Sequence, residues 1–393
     1  MNILMAHNFY SQPGGEDKSY QAEAEGLIKS GHHVIKFEKH TELEVAQSRV
    51  LKVAINTIWN SKVFHELEDT IRASKCEIAH FQNTFPIISP AGYYAAKKAG
   101  ALVIQSLRNY RLTCVNGLLF REGAICHDCL GKVFPIDGIK HGCYRNSRAG
   151  SAIVATMIGI HKAAKTYDKY VDGYIAISDY VKEIYIEAGL PEKKIFVKPN
   201  LVNEIQVDDD LLKKIEKKYM LFIGRISAEK GIEELVKIWY DNNYGLPLYI
   251  IGDGPIKDTL IQRYNCDNIV FLGYRNSTQT AAYIKQATAV IVPSTWEEPF
   301  GRVAAEAFSF SVPVIAPRIG GLKDIVVDGR NGVTYDPIHK KGLSIAIGRF
   351  LSNSSQWQVM KDLAYEDYLH KYHPTSNTKI LEDIYHSVIE VQK

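Results

Sequence analysis

Glu298 and Glu306 stand eight residues apart in EPFGRVAAEAF, across a Pro-Phe-Gly turn and a run of small residues. Further upstream, FIGRISAEKGIEELVKIW sets Gly224 and Arg225 where a strand should end, and Lys230 and Gly231 where a helix should open. Arginine can grip two oxygens and lysine supplies a point charge, so these cations can converge on a diphosphate. At 100° per residue, eight positions miss a common helical face by about 80°. The two carboxylates are therefore not a stripe on one helix. Glu298 belongs to the loop ahead of the helix and Glu306 to its second turn, with the amides of Phe300 and Gly301 between them. That order suits a ligand with hydroxyls at both ends and an anion in the middle, such as ribose diol, diphosphate and hexose diol. The alternative is structural: Glu298 favouring a helix dipole and Glu306 pairing with a nearby lysine.

In the first half, HNFYSQPGGEDKSY puts Gly14 and Gly15 before a helix that carries Glu16 and Asp17 in its first turn. Such a turn lets a backbone approach a phosphate, and it is equally a favourable helix start. It lacks GxGxxG, which counts against a dinucleotide dehydrogenase. Gly252, in YIIGDGP, and Gly273, in FLGY, follow later strands and serve either ligand approach or a turn. Four of the six cysteines, Cys114, Cys126, Cys129 and Cys143, cluster with the spacing C-x11-C-x2-C-x13-C. They either close a structural zinc site that clamps a long loop, or stay free or partly oxidised. Asp208, Asp209 and Asp210 imitate a metal-binding DxD but read as a solvated loop or helix start.

Positioning these residues requires short apolar strands alternating with amphipathic helices. The pattern predicts strands at Ile3–Ala6, Val34–Phe37, Ile78–Phe81, Leu102–Ser106, Gly173–Ile177 and Ile195–Val197. A second series follows at Met220–Ile223, Leu248–Ile251, Ile269–Leu272, Ala289–Val292, Pro313–Ala316 and Val333–Tyr335. The expected fold class is α/β, with two Rossmann-like doubly wound domains. In such sheets ligands settle beyond the carboxyl ends of the strands, where the residues above lie. The division expected is 1–198 with a Cys-rich loop at 112–145, then 199–372, then a segment 373–393 that packs back on the first domain as a helix. Tyr365, Tyr368 and Tyr372 are expected on one face of that closing helix.

The 393 residues suffice for two cores. Composition is ordinary for an enzyme, with 47 Lys+Arg against 44 Asp+Glu, so nucleic acid is not suggested as a partner. Residues 1–200 hold 25 basic and 20 acidic side chains, a lean compatible with an acidic acceptor or an anionic membrane surface. No run reaches the roughly 20 apolar residues of a membrane span. MNILMAHNFY reads as a first strand rather than a signal peptide, and the expected location is the cytoplasm. Leu43 to Phe64 has near-helical apolar spacing; it either lies on a membrane or packs on its own sheet.

GGED at Gly14–Asp17, HFQNTFPIISP at His80–Pro90, NYRLTC at Asn109–Cys114, KPN at Lys198–Asn200, GRISAEKG at Gly224–Gly231 and EPFGRVAAEA at Glu298–Ala307 occur in this order. Together they resemble the family 4 glycosyltransferases, a retaining family with the GT-B fold, over nearly the whole chain. The resemblance implies two domains facing across a cleft and transfer of a hexose-type sugar from a nucleotide diphosphate sugar to an acceptor hydroxyl. UDP is the favoured donor base and GDP the second. It implies retained anomeric configuration, no cofactor and no divalent metal. Arg225 and Lys230 would hold the diphosphate, Glu298 would orient the donor sugar and Glu306 would hold the ribose. Gly14, Gly15, Gly224, Gly252, Pro299, Phe300, Gly301 and Val303 complete the donor side. Glu16, Asp17, Asn83 and Asn109 are acceptor-side candidates. A saccharide or lipid-linked saccharide acceptor is implied, in building surface polysaccharide, with at most peripheral contact at the inner face of the membrane.

One residue departs from the family pattern: SLRNYRLTC places Arg108 where many relatives carry histidine. Arginine stays protonated and cannot act as an ordinary base. Either the histidine role is dispensable here, or Arg108 serves another ligand, anionic in character, or activity is reduced. The competing functions are a nucleotide-sugar-binding partner without turnover and a nucleotide-sugar epimerase.

Overall fold

Strands of a parallel sheet are covered on both faces and so read as unbroken apolar runs. The computed structural model describes residues 1–10, 14–42, 50–216 and 218–391, and in it each of the predicted runs is a strand. The chain divides into two units. One holds Met1–Arg121, Cys126–Leu201 and the segment from Asn377 onward; the other holds Glu122–Ile125 and Val202–Ser376.

In the first unit the strands are β1 (Asn2–Phe9), β2 (His33–His40), β3 (Ile78–Asn83), β4 (Leu102–Leu107), β7 (Gly173–Ala176) and β8 (Ile195–Val197). They form a parallel sheet in the order β2-β1-β3-β4-β7-β8. The two short strands β5 (Phe120–Arg121) and β6 (Ala124–Ile125) lie within the cysteine-bearing loop. In the second unit β9 (Met220–Ile223), β10 (Leu248–Ile251), β11 (Ile269–Gly273), β12 (Ala289–Ile291), β13 (Val314–Pro317) and β14 (Gly332–Tyr335) are parallel in the order β11-β10-β9-β12-β13-β14. Both are doubly wound α/β sheets. The order reverses beside β1 in the first and beside β9 in the second, which makes the ends of β1/β3 and β9/β12 the places where connecting loops diverge and leave a crevice.

Each core follows from the helix that answers its sheet. The helix Ile232–Asp241 buries Ile232, Leu235, Val236 and Trp239, one stripe at helical spacing, against Met220, Phe222, Leu248 and Ile250. In the first unit the helix Gly15–Lys29 presents Tyr20, Ala24 and Leu27 to Ile3, Met5 and Ile78. The last helix, Pro374–Val391, enters the same cluster through Leu381, Ile384, Tyr385 and Val388.

The three tail tyrosines are placed differently from the expectation. Tyr365 lies in the helix Trp357–Asp367, and Tyr368 and Tyr372 in the following wide turn, all before the returning helix begins. Tyr372 packs on Phe300 and Phe308 of the second unit, with ring centroids 5.9 and 6.4 Å away. The break at His373-Pro374 explains this, because proline at the first helical position starts a new helix rather than extending the old one.

Of the amphipathic stretch Leu43 to Phe64, residues 43–49 lie outside the described residues. The helix Val50–Ile58 packs against the helix Arg148–Ala163, and His161 Nε2 donates to the Ile58 carbonyl at 3.0 Å. Ile55 and Trp59 remain exposed. Among the described residues no helix is long and apolar enough to cross a membrane.

Because Leu381 is fully buried in the first unit's core, Leu381→Ala should destabilise the protein by about 2–5 kcal/mol. A lower urea midpoint with unchanged far-UV circular dichroism at zero denaturant is the expected result.

Candidate functional site

The second unit assembles its site from loops at adjacent strand ends. After β9 the chain turns through Gly224 and Arg225 into a 3-10 turn, Ala228–Lys230, and Gly231 then opens the next helix in a left-handed conformation at φ 66°. A Cβ there would lie 1.8 Å from the Pro293 carbonyl oxygen, so only glycine lets this turn lie against the loop after β12. The Thr295 amide donates to the Glu229 carbonyl at 3.0 Å and fastens the two loops together. This seam places Lys230 Nζ 2.6 Å from Glu298 Oε1. Lys230 also lies 5.4 Å from the Trp296 ring centroid, and the Ser294 hydroxyl donates to the same carboxylate oxygen.

Glu298 is 7% exposed. Burial pushes its carboxyl pKa up, but the Lys230 charge and the bonds from Lys230 and Ser294 outweigh this and hold it below the ordinary carboxylate value. The Trp296 indole N–H also favours the carboxylate, from outside the geometry of an ordinary hydrogen bond, and has no partner of its own. Behind Glu298, Gly320 at φ 53° comes so close that a Cβ would sit 2.7 Å from the Glu298 backbone N and O. The Gly321 amide donates to the Glu298 carbonyl at 2.7 Å. Sequence reasoning missed Gly320 and Gly321; the signal was a Gly-Gly pair directly after a strand.

Gly301 caps the helix Arg302–Phe308 at φ 85°, so Glu298 precedes that helix and Glu306 lies inside it. Glu306 accepts from Arg302 Nε at 2.9 Å, an i,i+4 pair on the half-buried face. Arg225 is exposed, Phe300 is buried and Val303 is half-buried. Pro299 sits between Glu298 and Phe300, and its carbonyl backs on Gly321. Gly252 backs on the Gly224 carbonyl, 1.9 Å from where its Cβ would be, which seats one strand end on its neighbour. Lys230 and Glu298 are thus brought into direct contact, whereas Glu306 has Arg302 as its cation. Asp208 is a helix cap, its side chain accepting from the Leu211 amide at 3.0 Å.

In the first unit Gly14 and Gly15 are exposed at the start of the helix Gly15–Lys29. Asp17 accepts from the Gly14 amide at 2.7 Å and pairs with buried His7 at 2.8 Å. Glu16 accepts from Asn109 Nδ2 at 2.7 Å. Asn83 donates to the Asn8 carbonyl at 2.7 Å and accepts from the Phe85 amide at 3.0 Å. Glu16 and Asn109 are therefore neighbours, while Asn83 and Asp17 hold backbone in place.

Arg108 follows β4 and is 6% exposed. Its Nη2 lies 2.9 Å from Glu23 Oε1, its Nε donates to Gln82 Oε1 at 2.8 Å, and its Nη1 donates to Asn200 Oδ1. Lys198 Nζ approaches the same Glu23 oxygen at 2.6 Å, and Gln82 Nε2 donates to Glu23 Oε2 at 2.7 Å. Burial pushes the Glu23 carboxyl up, but Arg108, Lys198 and the hydrogen bonds hold it well below its ordinary value. His80 bonds Ser106 at 2.8 Å and Tyr385 at 2.7 Å; burial brings its pKa down to about 3, so it is neutral. Glu23 was not singled out from sequence. Its signal was an acid on the buried stripe of Tyr20, Ala24 and Leu27.

Cys114 and Cys129 are buried and Cys126 and Cys143 half-buried. Among the described residues no three His, Cys, Asp or Glu side chains are grouped to hold a metal ion. The Cys114 thiol donates to Asn116 Oδ1 at 3.0 Å, and burial pushes the Cys129 thiol up to about 11 with Cys114 adding to it.

The sequence profile of the family Glycosyl transferases group 1 matches residues 204–367. The chain is similar to a protein described as an uncharacterized 42.6 kDa protein in cps region of Klebsiella pneumoniae, 26% identical and covering 83% of this chain and 87% of the relative. It is also similar to an uncharacterized glycosyltransferase of Methanocaldococcus jannaschii, 25% identical over 90% and 89%. Among solved structures, Anabaena HepE in complex with UDP superposes with a TM-score of 0.69 at 16% identity, over 98% of this chain and 100% of that one. HepE has also been crystallised with UDP-glucose.

Glu298 and Glu23 both have depressed carboxyl pKa values, so their stabilisation is complete above the ordinary carboxylate range and is lost as pH falls through the folded values. Lys230→Met leaves Glu298 buried without its cation. A carbon-13 titration of the Glu298 carboxyl should then move above its wild-type midpoint, and an unmoved midpoint would show that the lysine does not hold it. Glu23→Gln should cost about 3–5 kcal/mol in urea denaturation at neutral pH. The adjacent-strand site with its Lys230–Glu298 pair lies within the residues that the Glycosyl transferases group 1 profile matches, in a chain with the GT-B fold.

Proposed function

We propose that this chain is a retaining, family 4-type glycosyltransferase that moves a hexose from a nucleotide diphosphate sugar to a saccharide or lipid-linked saccharide hydroxyl. The observation that carries the reading is the Lys230–Glu298 contact at the ends of β9 and β12 within the group 1 domain. UDP is preferred over GDP as the donor base because HepE was crystallised with UDP and with UDP-glucose. The work of the chain belongs to surface polysaccharide or glycan assembly in the cytoplasm, at the inner face of the membrane when the acceptor is lipid-linked.

In this reading Lys230 and Arg225 grip the diphosphate. The bond between the anomeric carbon and the phosphate oxygen breaks, and the electron pair goes to that oxygen, whose charge the two cations stabilise. The acceptor hydroxyl attacks the anomeric carbon from the same face and passes its proton to the departing phosphate. Configuration is retained without a carboxylate nucleophile. Lys230 and Arg225 take the charge-neutralising part that a divalent ion plays elsewhere. Glu298, its carboxylate oriented by Lys230 and Ser294, accepts hydrogen bonds from the hexose hydroxyls. Glu306 takes the ribose diol, with Arg302 fixing its rotamer. Gly15 offers its exposed backbone to an anion beside Gly14, whose own amide is held by Asp17, and Glu16 and Asn109 face the acceptor.

A second reading, a binding protein without turnover, is favoured by one observation. Arg108, where histidine is usual in the resembling family, cannot act as a base and is held by Glu23, Gln82 and Asn200. A panel of UDP- and GDP-sugars with candidate acceptors separates these readings. Nucleotide release with an axial or equatorial linkage matching the donor, seen by proton NMR and unchanged by a chelator, is the expected result. Lys230→Ala and Glu298→Gln should each lower kcat/KM by about 10²–10³-fold. Binding without release selects the silent protein, and an altered sugar without acceptor selects an epimerase.

A further inference from the structure

Three charged side chains are buried together in the first unit: Glu23 at 2% exposure, Arg108 at 6% and Lys198 at 1%. They bring two cations to one carboxylate. The polar groups around them, Gln82, Asn200, Ser106, Tyr385 and neutral His80, carry no negative charge. With Lys198 charged, one positive charge is left without a counter-charge in a region shielded from water, and burial accordingly pushes the Lys198 ammonium below its ordinary pKa while Glu23 pushes it back up; this is a costly arrangement for a protein to keep unless something compensates it.

The neighbouring space has the complementary character. A cavity of about 30 Å³ adjoins Arg108 and is also lined by Arg111, Gln82, Ser106, Asn109 and Tyr167. Among the described residues no carboxylate lines it. Two polar atoms of residues that line it are buried without a partner, Arg111 Nε and the hydroxyl of Tyr167, which is 3% exposed and also lines a second cavity of about 230 Å³. Arg111 is itself fixed: its guanidinium lies 4.7 Å from the Phe85 ring centroid and donates to the Val115 carbonyl. Two guanidinium groups, a hydroxyl in want of a bond and room for about two water-sized groups describe a receptor for an oxyanion rather than for a hexose ring.

We propose that this cavity is an oxyanion pocket: it takes the carboxylate or phosphoryl group of a sugar between Arg108 and Arg111, with the ring outside. The saccharide handled by the first unit is accordingly an acidic one. That the oxyanion is carried by a sugar rests on the transferase reading; the pocket itself does not. Glu23 is a positioning residue in this scheme, because it aims Arg108 without touching the ligand.

Isothermal titration of the full chain with glucuronate, glucose 1-phosphate, inorganic phosphate and glucose tests the pocket. The expected result is that glucuronate or glucose 1-phosphate binds about ten- to a hundredfold tighter than glucose. Inorganic phosphate as a separate arm shows whether the oxyanion suffices without the sugar. Arg111→Gln, with its melting temperature checked, should lose the preference. Glu23→Gln with Arg108→Gln keeps the network free of an orphaned carboxylate and should lose it too; if that double variant does not fold, Arg111→Gln decides. Equal affinity for glucose, no binding by either acidic sugar, or a preference that survives Arg111→Gln overturns the proposal. So does nitrogen-15 NMR showing Lys198 unprotonated at neutral pH, because the surplus charge would then not exist. Nucleotide release in the same preparation reports separately: turnover without acid preference sinks this pocket alone, and acid preference without turnover sinks the transferase reading alone.

Discussion

A carboxylate can remain ionised inside a protein only where cations and donors surround it, and Glu23 is the point at which the first unit meets that requirement. Its oxygens draw in Arg108 from the end of β4, Lys198 from just beyond β8 and Gln82 from β3. Through His80 the network reaches Ser106 and, by Tyr385, the last helix. Four segments far apart in sequence are tied to one acid on the first helix. The geometry of the whole edge, including Asn109 and the start of the first helix, is referred to that charge.

The second unit solves the analogous problem at its own strand ends with a smaller group. Lys230 and Glu298 come from loops that would diverge from β9 and β12, and they are drawn together by a glycine turn against Pro293 and a backbone bond from Thr295 to Glu229. The Lys–Glu contact therefore has two functions in the resting protein. It keeps a buried acid ionised, and it keeps the lysine's rotamer near the position where a diphosphate is held in the proposed mechanism. In that mechanism phosphate oxygens take the lysine, and Glu298 keeps the Ser294 bond and gains donor hydroxyls, so the acid is not abandoned.

Strand positions were legible because parallel strands leave unbroken apolar runs, and the twelve strands of the two parallel sheets lie where such runs stand, whereas the short pair β5-β6 was not foreseen. The relation of Glu298 to Glu306 was legible from helical arithmetic, since Gly301 does begin the helix between them. What sequence spacing cannot carry is the choice of partner. Nothing local to Glu306 says that Arg302, rather than a distant lysine, is its cation. Nothing near Arg108 says that an acid 85 positions earlier holds it. The cysteine spacing leaves coordination and free thiols both open, because it does not encode side-chain direction. The tail tyrosines show the same limit: their periodicity is helical, but the chain breaks before the helix that returns.

The helix Pro374–Val391 supplies four side chains to a core whose other members come from the opening two hundred residues. During synthesis on a ribosome, everything the second unit needs has been polymerised by Ser376, before the first unit possesses its final layer. The usual vectorial order, in which the leading portion of a nascent polypeptide completes itself first, is thereby inverted. The sheet nearest Met1 must wait, with an apolar face uncovered, until the helix Pro374–Val391 has been translated.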